Sequence, residues 1–264
     1  MIRFVDSKAL EDDYQKSCKF DKVFGTINSF LFKKHSNYSS GFFWNLYNDN
    51  GELLGNLSFT NDTFTVCIKD DSCSEEIAKF IDFWGNFALI SYNKCNAKSL
   101  DIFMSIPNTP TFGAILYADL TSITPSKTAN ICKDISLYDV FCLFKESFPE
   151  KLAESKFSDF NYDMNYRLRK RLSSLYGIVK DGMLASALEV MCHYEENVVL
   201  GCLATDKKHR EKGFASSLLC SLFDDFPNFS VYVFAENDSV ENFYKKLGFK
   251  EYAVWAQITP ARKD

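Results

Sequence analysis

Histidine is scarce in this chain of 264 residues: only His35, His193 and His209 are present. Metal centres and histidine-based nucleophile triads draw on imidazole, so both start from a poor position, and no metal is expected. The nine cysteines never form a C-x-x-C pair. An odd number scattered from Cys18 to Cys220 reads as reduced thiols packed like small apolar groups, not as a disulfide framework. Positive charge is not in excess either. Lys and Arg number 30 against 35 acids, a net charge of −5, and the balance is similar through Asn130 (12 against 15) and after it (18 against 20). Such a chain offers no broad cationic surface for a phosphate backbone, which argues against a nucleic-acid partner. No apolar run reaches the roughly 18 to 20 residues of a membrane helix, and MIRFVDSKALEDDYQK lacks the cationic start and apolar stretch of a signal peptide. A cytoplasmic protein with no membrane partner is expected. The 46% hydrophobic content is that of a globular chain, and the length suits one large domain or two small ones.

What is present starts with turn chemistry. From Gly41, aromatic and aliphatic runs are broken by Asn48-Asp49-Asn50-Gly51 and by Asn61-Asp62, residues that tolerate positive φ, so the text reads as a meander of short antiparallel strands. SEEIAKFIDFWG then sets Ile77, Phe80, Ile81 and Trp84 on one helical face, with acids in the first turn and Gly85 as its stop. Further strands are expected at Phe87–Tyr92 and near Ser99–Ile106 and Phe112–Tyr117. The polar stretch TSITPSKTAN, with Pro125, marks a domain boundary. Beyond it, Ile131–Ser147 and Ser158–Ser173 read as helices. Ser158 is a candidate cap, and Asp163 and Arg167 stand at ion-pair spacing. A hairpin turning at Lys180-Asp181-Gly182 and the strand NVVLGCLAT follow. The element order of the first part recurs, as in an internal duplication.

The segment from Val198 to Phe226 is the most informative. An apolar strand leads to a short loop, Arg210-Glu211-Lys212-Gly213-Phe214-Ala215, and then to a helix whose apolar face includes Leu218, Leu219, Leu222 and Phe223. Main-chain N–H groups at a helix start are free to bind an anion, and the helix dipole adds to the attraction. Gly213 and Ala215 allow close approach, while Lys207, Lys208, Arg210 and Lys212 put four cations beside the site. A pyrophosphate suits it.

Arg210, Gly213 and Ala215 fill the three defined positions of Q/R-x-x-G-x-G/A, and FAENDSVENFYKKLGFKEY downstream supplies Asn237, Val240, Phe243, Tyr244, Leu247, Gly248 and Phe249 in the register N-x-x-(small)-x-x-(apolar)-Y-x-x-L-G-F. On these motifs the chain resembles the GCN5-related N-acetyltransferases, and in particular a subgroup with a degenerate domain ahead of the active one; Val240 replaces the family's usual alanine. The resemblance implies an α/β (α+β) tandem fold with a mixed, mostly antiparallel sheet flanked by helices. It assigns 1–125 to a degenerate domain with no R-x-x-G-x-G/A loop and 126–264 to the catalytic domain.

The implied activity is acetyl-CoA-dependent transfer of an acetyl group, directly, to a primary amine of a small-molecule or amino-acid-like acceptor. A non-catalytic acetyl-CoA sensing module and a protein or peptide N-acetyltransferase stay open as alternatives. An aminoacyl transferase drawing on tRNA would want a more basic surface and no such loop. By position, Leu203, Ala204 and Thr205 would bond the pantetheine arm and Arg210, Glu211, Lys212, Gly213, Phe214, Ala215 and Ser216 would hold the pyrophosphate. Tyr244 matches the tyrosine that protonates the departing thiolate, and a phenol with a reference pKa near 10 carries that proton at neutral pH. Asn237 is a candidate for a hydrogen bond to cofactor or substrate, or simply a strand-end cap. Glu189, an acid within the apolar strand ALEVMCHY, is the candidate base, with an outward solvated position as the alternative and Glu236 as second choice. Cys202 would permit a covalent acyl-enzyme, or is inert. Arg167, Arg169, Lys170 and Arg171 would attract an acidic acceptor, or form a solvated face. The assembly is expected to be a monomer or homodimer.

Overall fold

The computed structural model describes residues 1–35, 40–119 and 129–261. Internal contacts divide the chain into two units, Met1–Leu116 with Phe234–Glu241 and Glu251–Asp264, and Tyr117–Val233 with Asn242–Lys250. The expected boundary at 125/126 lies outside the described residues. Segments 234–241 and 251–264, on its C-terminal side, group with the first unit, so the division is not a single cut.

In chain order the elements are β1 (Ile2–Phe4), α1 (Lys8–Ser17), α2 (Phe24–His35), β2 (Gly41–Tyr47), β3 (Leu53–Thr60), β4 (Thr63–Ile68), α3 (Ser74–Trp84), β5 (Leu89–Asn93), α4 (Leu100–Phe103), β6 (Asn108–Asp119), α5 (Leu137–Ser147), α6 (Pro149–Leu152), α7 (Phe157–Arg169), β7 (Ser174–Lys180), β8 (Met183–Tyr194), β9 (Asn197–Thr205), α8 (Phe214–Asp225), β10 (Ser230–Ala235), α9 (Asp238–Lys246) and β11 (Lys250–Pro260). The order repeats: helices, three antiparallel strands, a helix, a strand parallel to the third, a helix and a final strand.

In the first unit the strands run in the order β1-β2-β3-β4-β5-β11-β6. Asn61 and Asp62, at φ 49° and 56°, close the β3–β4 hairpin in the left-handed conformation that their short polar side chains allow. Alternation along the strands gives the sheet two unlike faces. Trp44, Leu46, Leu57, Phe64, Val66 and Ile68 pack with Ile77, Ala78 and Ile81 of α3, and Phe80 and Trp84 cover their edge. Gly85, at φ 74°, stops that helix with its N–H on the Ile81 carbonyl. The opposite residues of the same strands include Asn45, Asn56, Ser58 and Thr65, buried yet polar. Three of them are tied to α2: Asn28 donates from Nδ2 to Asn56 Oδ1 (2.6 Å) and to the Thr65 carbonyl (3.1 Å), and its Oδ1 accepts from Ser58 Oγ (2.8 Å). The expected strand near Ser99–Ile106 is instead a single helical turn, α4, where Asp71 accepts from Ser99 N–H and Oγ. A side-chain acceptor there satisfies donors that a strand would pair in a ladder.

The second unit holds β7, β8, β9 and the first part of β10. Asp181 (φ 52°) and Gly182 (φ 78°) turn the β7–β8 hairpin where expected. Val140, Leu143 and Phe144 of α5 and Met164 of α7 pack on Leu175, Ala187 and Ala204, burying one face of the sheet. Two helix starts differ from expectation. The segment before Leu137 is not helical, because the Cys132 main chain exchanges two 2.8 Å hydrogen bonds with Gly177, and Ser136 caps α5. Helix α7 begins at Phe157 after Lys156, and Ser158 lies inside it with its hydroxyl on Asp159. Tyr117, near the end of β6, stacks on Tyr232 of β10 in this unit (centroids 6.2 Å apart). Among the described residues no helix is long and apolar enough to cross a membrane.

Candidate active site

The site is built around β9. On one side β9 pairs with β8, and on the other it runs parallel to β10 for three residues only: Ser230, Val231 and Tyr232 oppose Asn197, Val198 and Val199. Among the described residues, β9 continues beyond Val199 to Thr205 without a further partner position on β10. Hydrogen-bonded pairs alternate along an antiparallel ladder. The Asp206 N–H bonds the Ala185 carbonyl at 2.9 Å, and in the register that pairs Ala204 with Ala187 this turns Ala204 toward β8. The main-chain groups of Leu203 and Thr205 therefore face away from β8, toward the unpaired edge. Ala204 does not share that orientation, and its carbonyl also accepts from Ser186 Oγ (2.8 Å). That departs from the expectation that all three bond a cofactor arm.

The loop that follows has the local features of an anion site. Asp206 Oδ1 accepts from Lys208 N–H (2.8 Å), starting a turn over Lys207–His209. Arg210 Nε donates to the Thr205 carbonyl (3.3 Å) and Lys212 Nζ to the Lys208 carbonyl (2.8 Å), so two cations brace the loop. Glu211 (φ 61°) and Gly213 (φ 76°) are both left-handed, a geometry that turns successive N–H groups to one side. Gly213 precedes α8 without any side-chain cap, and the first helical bond runs from Ser217 N–H to the Gly213 carbonyl. The N–H groups of Phe214, Ala215 and Ser216 thus have no intrahelical acceptor. His209 stands beside Phe214, with ring centroids 6.1 Å apart.

Glu189 does not face solvent. It is 7% exposed, and its Oε1 accepts from Arg167 Nη1 at 2.6 Å. Arg167, 9% exposed, also bonds Ser173 Oγ (3.2 Å), while its Nε lies 2.8 Å from Asp163 Oδ2, the ion pair that the i,i+4 spacing predicts. Burial works against the guanidinium charge, but Glu189 and Asp163 more than offset it and hold Arg167 charged. Arg167 is therefore tied into the unit and not part of an open cationic face; Arg169 and Lys170 are exposed. The ladder register slips between Leu188 and Val190 and again before Cys192. Across that irregularity Gly201 leaves room for the carboxylate: a Cβ there would fall 2.8 Å from Glu189 Oε2. Sequence reasoning passed over Gly201, whose signal was a glycine inside an apolar strand.

Tyr244, on α9, is 5% exposed and packs against Phe243 and Phe249. Burial, and after it the neighbouring Cys202 thiol, push its phenol well above the usual tyrosine value, so it stays protonated across the physiological range. Glu189 thus stands by Gly201 of β9, just past the point where the β10 pairing ends. Asn237 falls in the first unit and caps α9, its Oδ1 accepting from Val240 N–H (3.0 Å). Glu236 is exposed at the end of β10. His193 is turned to the Arg171 carbonyl (3.3 Å) and the Phe226 ring.

At the corresponding place in the first unit, between β4 and α3, stand two acids. Asp70 Oδ1 accepts from Ser72 N–H (3.0 Å), and Asp71 accepts from Ser74 Oγ (2.7 Å) as well as from Ser99. Asn96 Nδ2 donates to the Ile68 carbonyl at the end of β4 (2.8 Å).

Residues 175–257 match the family model described as FR47-like protein. The structure is similar to an acetyltransferase of the GNAT family from Colwellia psychrerythraea (13% identity, 99% of this chain and 100% of that one, TM-score 0.63). It is also similar to a GCN5-related N-acetyltransferase from Sphaerobacter thermophilus (11%, 100% and 97%, 0.62) and to a tandem GNAT protein of the clavulanic acid biosynthesis pathway (13%, 100% of both, 0.60). A search of curated protein sequences finds no match. The architecture is the GCN5-related N-acetyltransferase fold in tandem.

Proposed function

We propose that the chain is an acetyl-CoA-dependent N-acetyltransferase that acts on a primary amine of a small-molecule or amino-acid-like acceptor. The observation that carries the reading is the pairing, within one unit, of an uncapped helix start in a cationic loop with a strand edge left open beyond Val199. The residues fit the cosubstrate. The N–H groups of Gly213, Phe214, Ala215 and Ser216, with Arg210 and Lys212 beside them, would hold the pyrophosphate. Leu203 and Thr205 would bond the pantetheine amides through the main chain, with Ala204 keeping the strand on β8. Glu211 adds the left-handed turn and not a favourable charge.

Acetyl-CoA supplies, when bound, an activated acetyl thioester. The chain's own groups do the rest. Tyr244 keeps a proton at Oη for the leaving sulfur. Glu189 Oε2, which Arg167 does not engage, draws the acceptor's ammonium and takes its proton, directly or through water. Two carboxylates against one guanidinium leave the Asp163–Arg167–Glu189 cluster net negative, which favours a cationic acceptor. Asn237 is kept as a helix cap that positions α9, and Glu236 as a secondary acid. Asp70 and Asp71, which put two carboxylates beside the start of α3, support a first unit that binds no acetyl-CoA. The same reading needs no metal, nucleic acid or membrane and keeps a cytoplasmic monomer or homodimer.

The test is thiol release from acetyl-CoA across a panel of amines, amino acids and peptide N-termini, with Tyr244→Phe as control. Release with small amines, lost in the variant, is expected. Release confined to peptides moves the acceptor to the protein class, and binding of acetyl-CoA without release to any amine replaces the transferase by a sensing module.

A further inference from the structure

We infer that Gly201 is a positioning residue for the transfer: by leaving β9 bare, it lets Glu189 hold its second carboxylate oxygen beside the exposed main chain of that strand, where it meets the acceptor amine. This rests on the transferase reading above and deepens its proton-transfer step.

Glycine is not needed at 201 for its backbone. Gly182 and Gly213 have positive φ and Gly201 does not, so alanine meets no conformational strain there, while glycine inside a strand weakens it. What opposes a side chain is space, and one residue takes all of it. The three atoms nearest a Cβ at Gly201 are Oε2, Cδ and Cγ of Glu189, at 2.8, 2.9 and 3.3 Å. At Gly177 a Cβ would meet Ile135 and Leu184, and at Gly55 the Cys67 carbonyl and Ile68, which is ordinary core crowding. Glu189 is not free to swing clear, because Arg167 Nη1 holds Oε1 at 2.6 Å. The oxygen left over is the one beside Gly201.

The strands are shaped around the same pair. Leu188 pairs with Leu203 and Val190 with Leu200, so Glu189 faces both Gly201 and Cys202 across a bulge, a device that re-aims side chains. Gly201 is exposed in mid-strand, just past Val199, where the listed pairing of β9 with β10 ends.

The first unit has the same place without the device. Counting back along each hairpin from its two-residue turn, and passing over Met191 at the bulge, Glu189 falls where β3 carries Asn56, opposite Cys67. Asn56 is fully buried and both its polar atoms are taken: Oδ1 accepts from Asn28 and Nδ2 donates to Ser17 Oγ (2.7 Å). A neutral, fully bonded side chain fits a unit that binds no acetyl-CoA. An acid facing glycine, with one oxygen to spare, fits the unit that does.

The step served is the loss of one proton from the acceptor's ammonium to Oε2. The N–H electron pair stays on nitrogen for attack on the acetyl carbon. A methyl at 201 pushes the carboxylate aside and leaves the cationic loop untouched.

The experiment measures thiol release from acetyl-CoA by the whole chain with the amines, amino acids and peptide N-termini named above, and acetyl-CoA binding by calorimetry. Gly201→Ala is expected to lower the rate about 10²-fold, the loss that a misplacement near 1 Å brings, with acetyl-CoA affinity unchanged. On Glu189→Asp, whose shorter side chain clears the methyl, the same substitution should cost less than about threefold, since the two positions are coupled. A wild-type rate in Gly201→Ala, or an equal loss on both backgrounds, overturns the inference and spares the transferase reading. So does a Gly201→Ala protein that folds only together with Glu189→Asp, which confines the glycine to packing. A folded wild type that releases no thiol with any of these acceptors overturns both.

Discussion

Arg167 Nη1 and Glu189 Oε1 lie 2.6 Å apart, joining α7 to β8 through a pair in which neither residue is more than 9% exposed. Water does not screen such a pair as it does a surface bridge. Arg167→Met is expected to cost about 3 kcal/mol or more of unfolding free energy, because it strands a buried carboxylate. Arg167→Met with Glu189→Met should recover most of that loss. Urea unfolding of the two single variants and the double variant tests this, and a single-variant loss below about 1 kcal/mol would mean that the pair is as weak as a surface one.

Tyr244→Phe separates catalysis from packing. The side chain is held by ring packing against Phe243 and Phe249, so removing the hydroxyl should change the unfolding free energy by less than about 1 kcal/mol. The turnover number should fall about 10²- to 10⁴-fold, the usual contribution of a positioned proton donor, with acetyl-CoA affinity unchanged. An intact rate would assign Tyr244 to the core alone.

Glu211 holds a left-handed conformation at φ 61° in the loop read as a phosphate site. A side chain with a Cβ is strained there by roughly 1 kcal/mol, and this one brings a negative charge. Glu211→Gly should tighten acetyl-CoA binding without lowering the melting temperature. Weaker binding would show that the carboxylate takes part in recognition.

Acid should loosen the first unit through Asp71. Burial raises the pKa of this carboxyl, but the bonds from Ser74 and Ser99 outweigh it and set the folded value below the usual 3.8. A depressed folded pKa gives stability that is present above the unfolded value and lost as pH falls through the folded one. The stability gap between wild type and Asp71→Asn should thus be widest near pH 6 and narrow on acidification below about pH 4. A gap that stays constant from pH 6 to pH 3 would remove Asp71 from the account.

The parts legible in the sequence are those set by a few neighbouring residues. Asn61-Asp62 and Asp181-Gly182 announce their turns, Gly85 announces the end of α3, and Arg210 to Ala215 announce the loop before α8. Long-range pairing was not legible. Strand β11 lies beside β5, with Trp255 to Ile258 opposite Asn93 to Ile90, and nothing in its alternation names a partner so far away in the chain. The run before Leu137 has helical periodicity but spends its main-chain groups on Gly177, and Leu100–Phe103 forms a helical turn because Asp71 accepts from Ser99. In the site, the Asp163–Arg167 spacing was visible, while Glu189 completing the cluster depends on how α7 lies over β8. The orientation of Ala204 depends likewise on ladder register, which residue types do not specify.

Calorimetric titration of the whole chain with acetyl-CoA, beside Gly213→Glu, addresses the central claim most directly. The account predicts saturable binding by the wild type at one site per chain. Binding should be lost when a carboxylate-bearing side chain is placed at the left-handed start of α8. Absence of binding by the folded wild type, or equal binding by Gly213→Glu, would contradict the assignment of this loop and of the open β9 edge to the coenzyme.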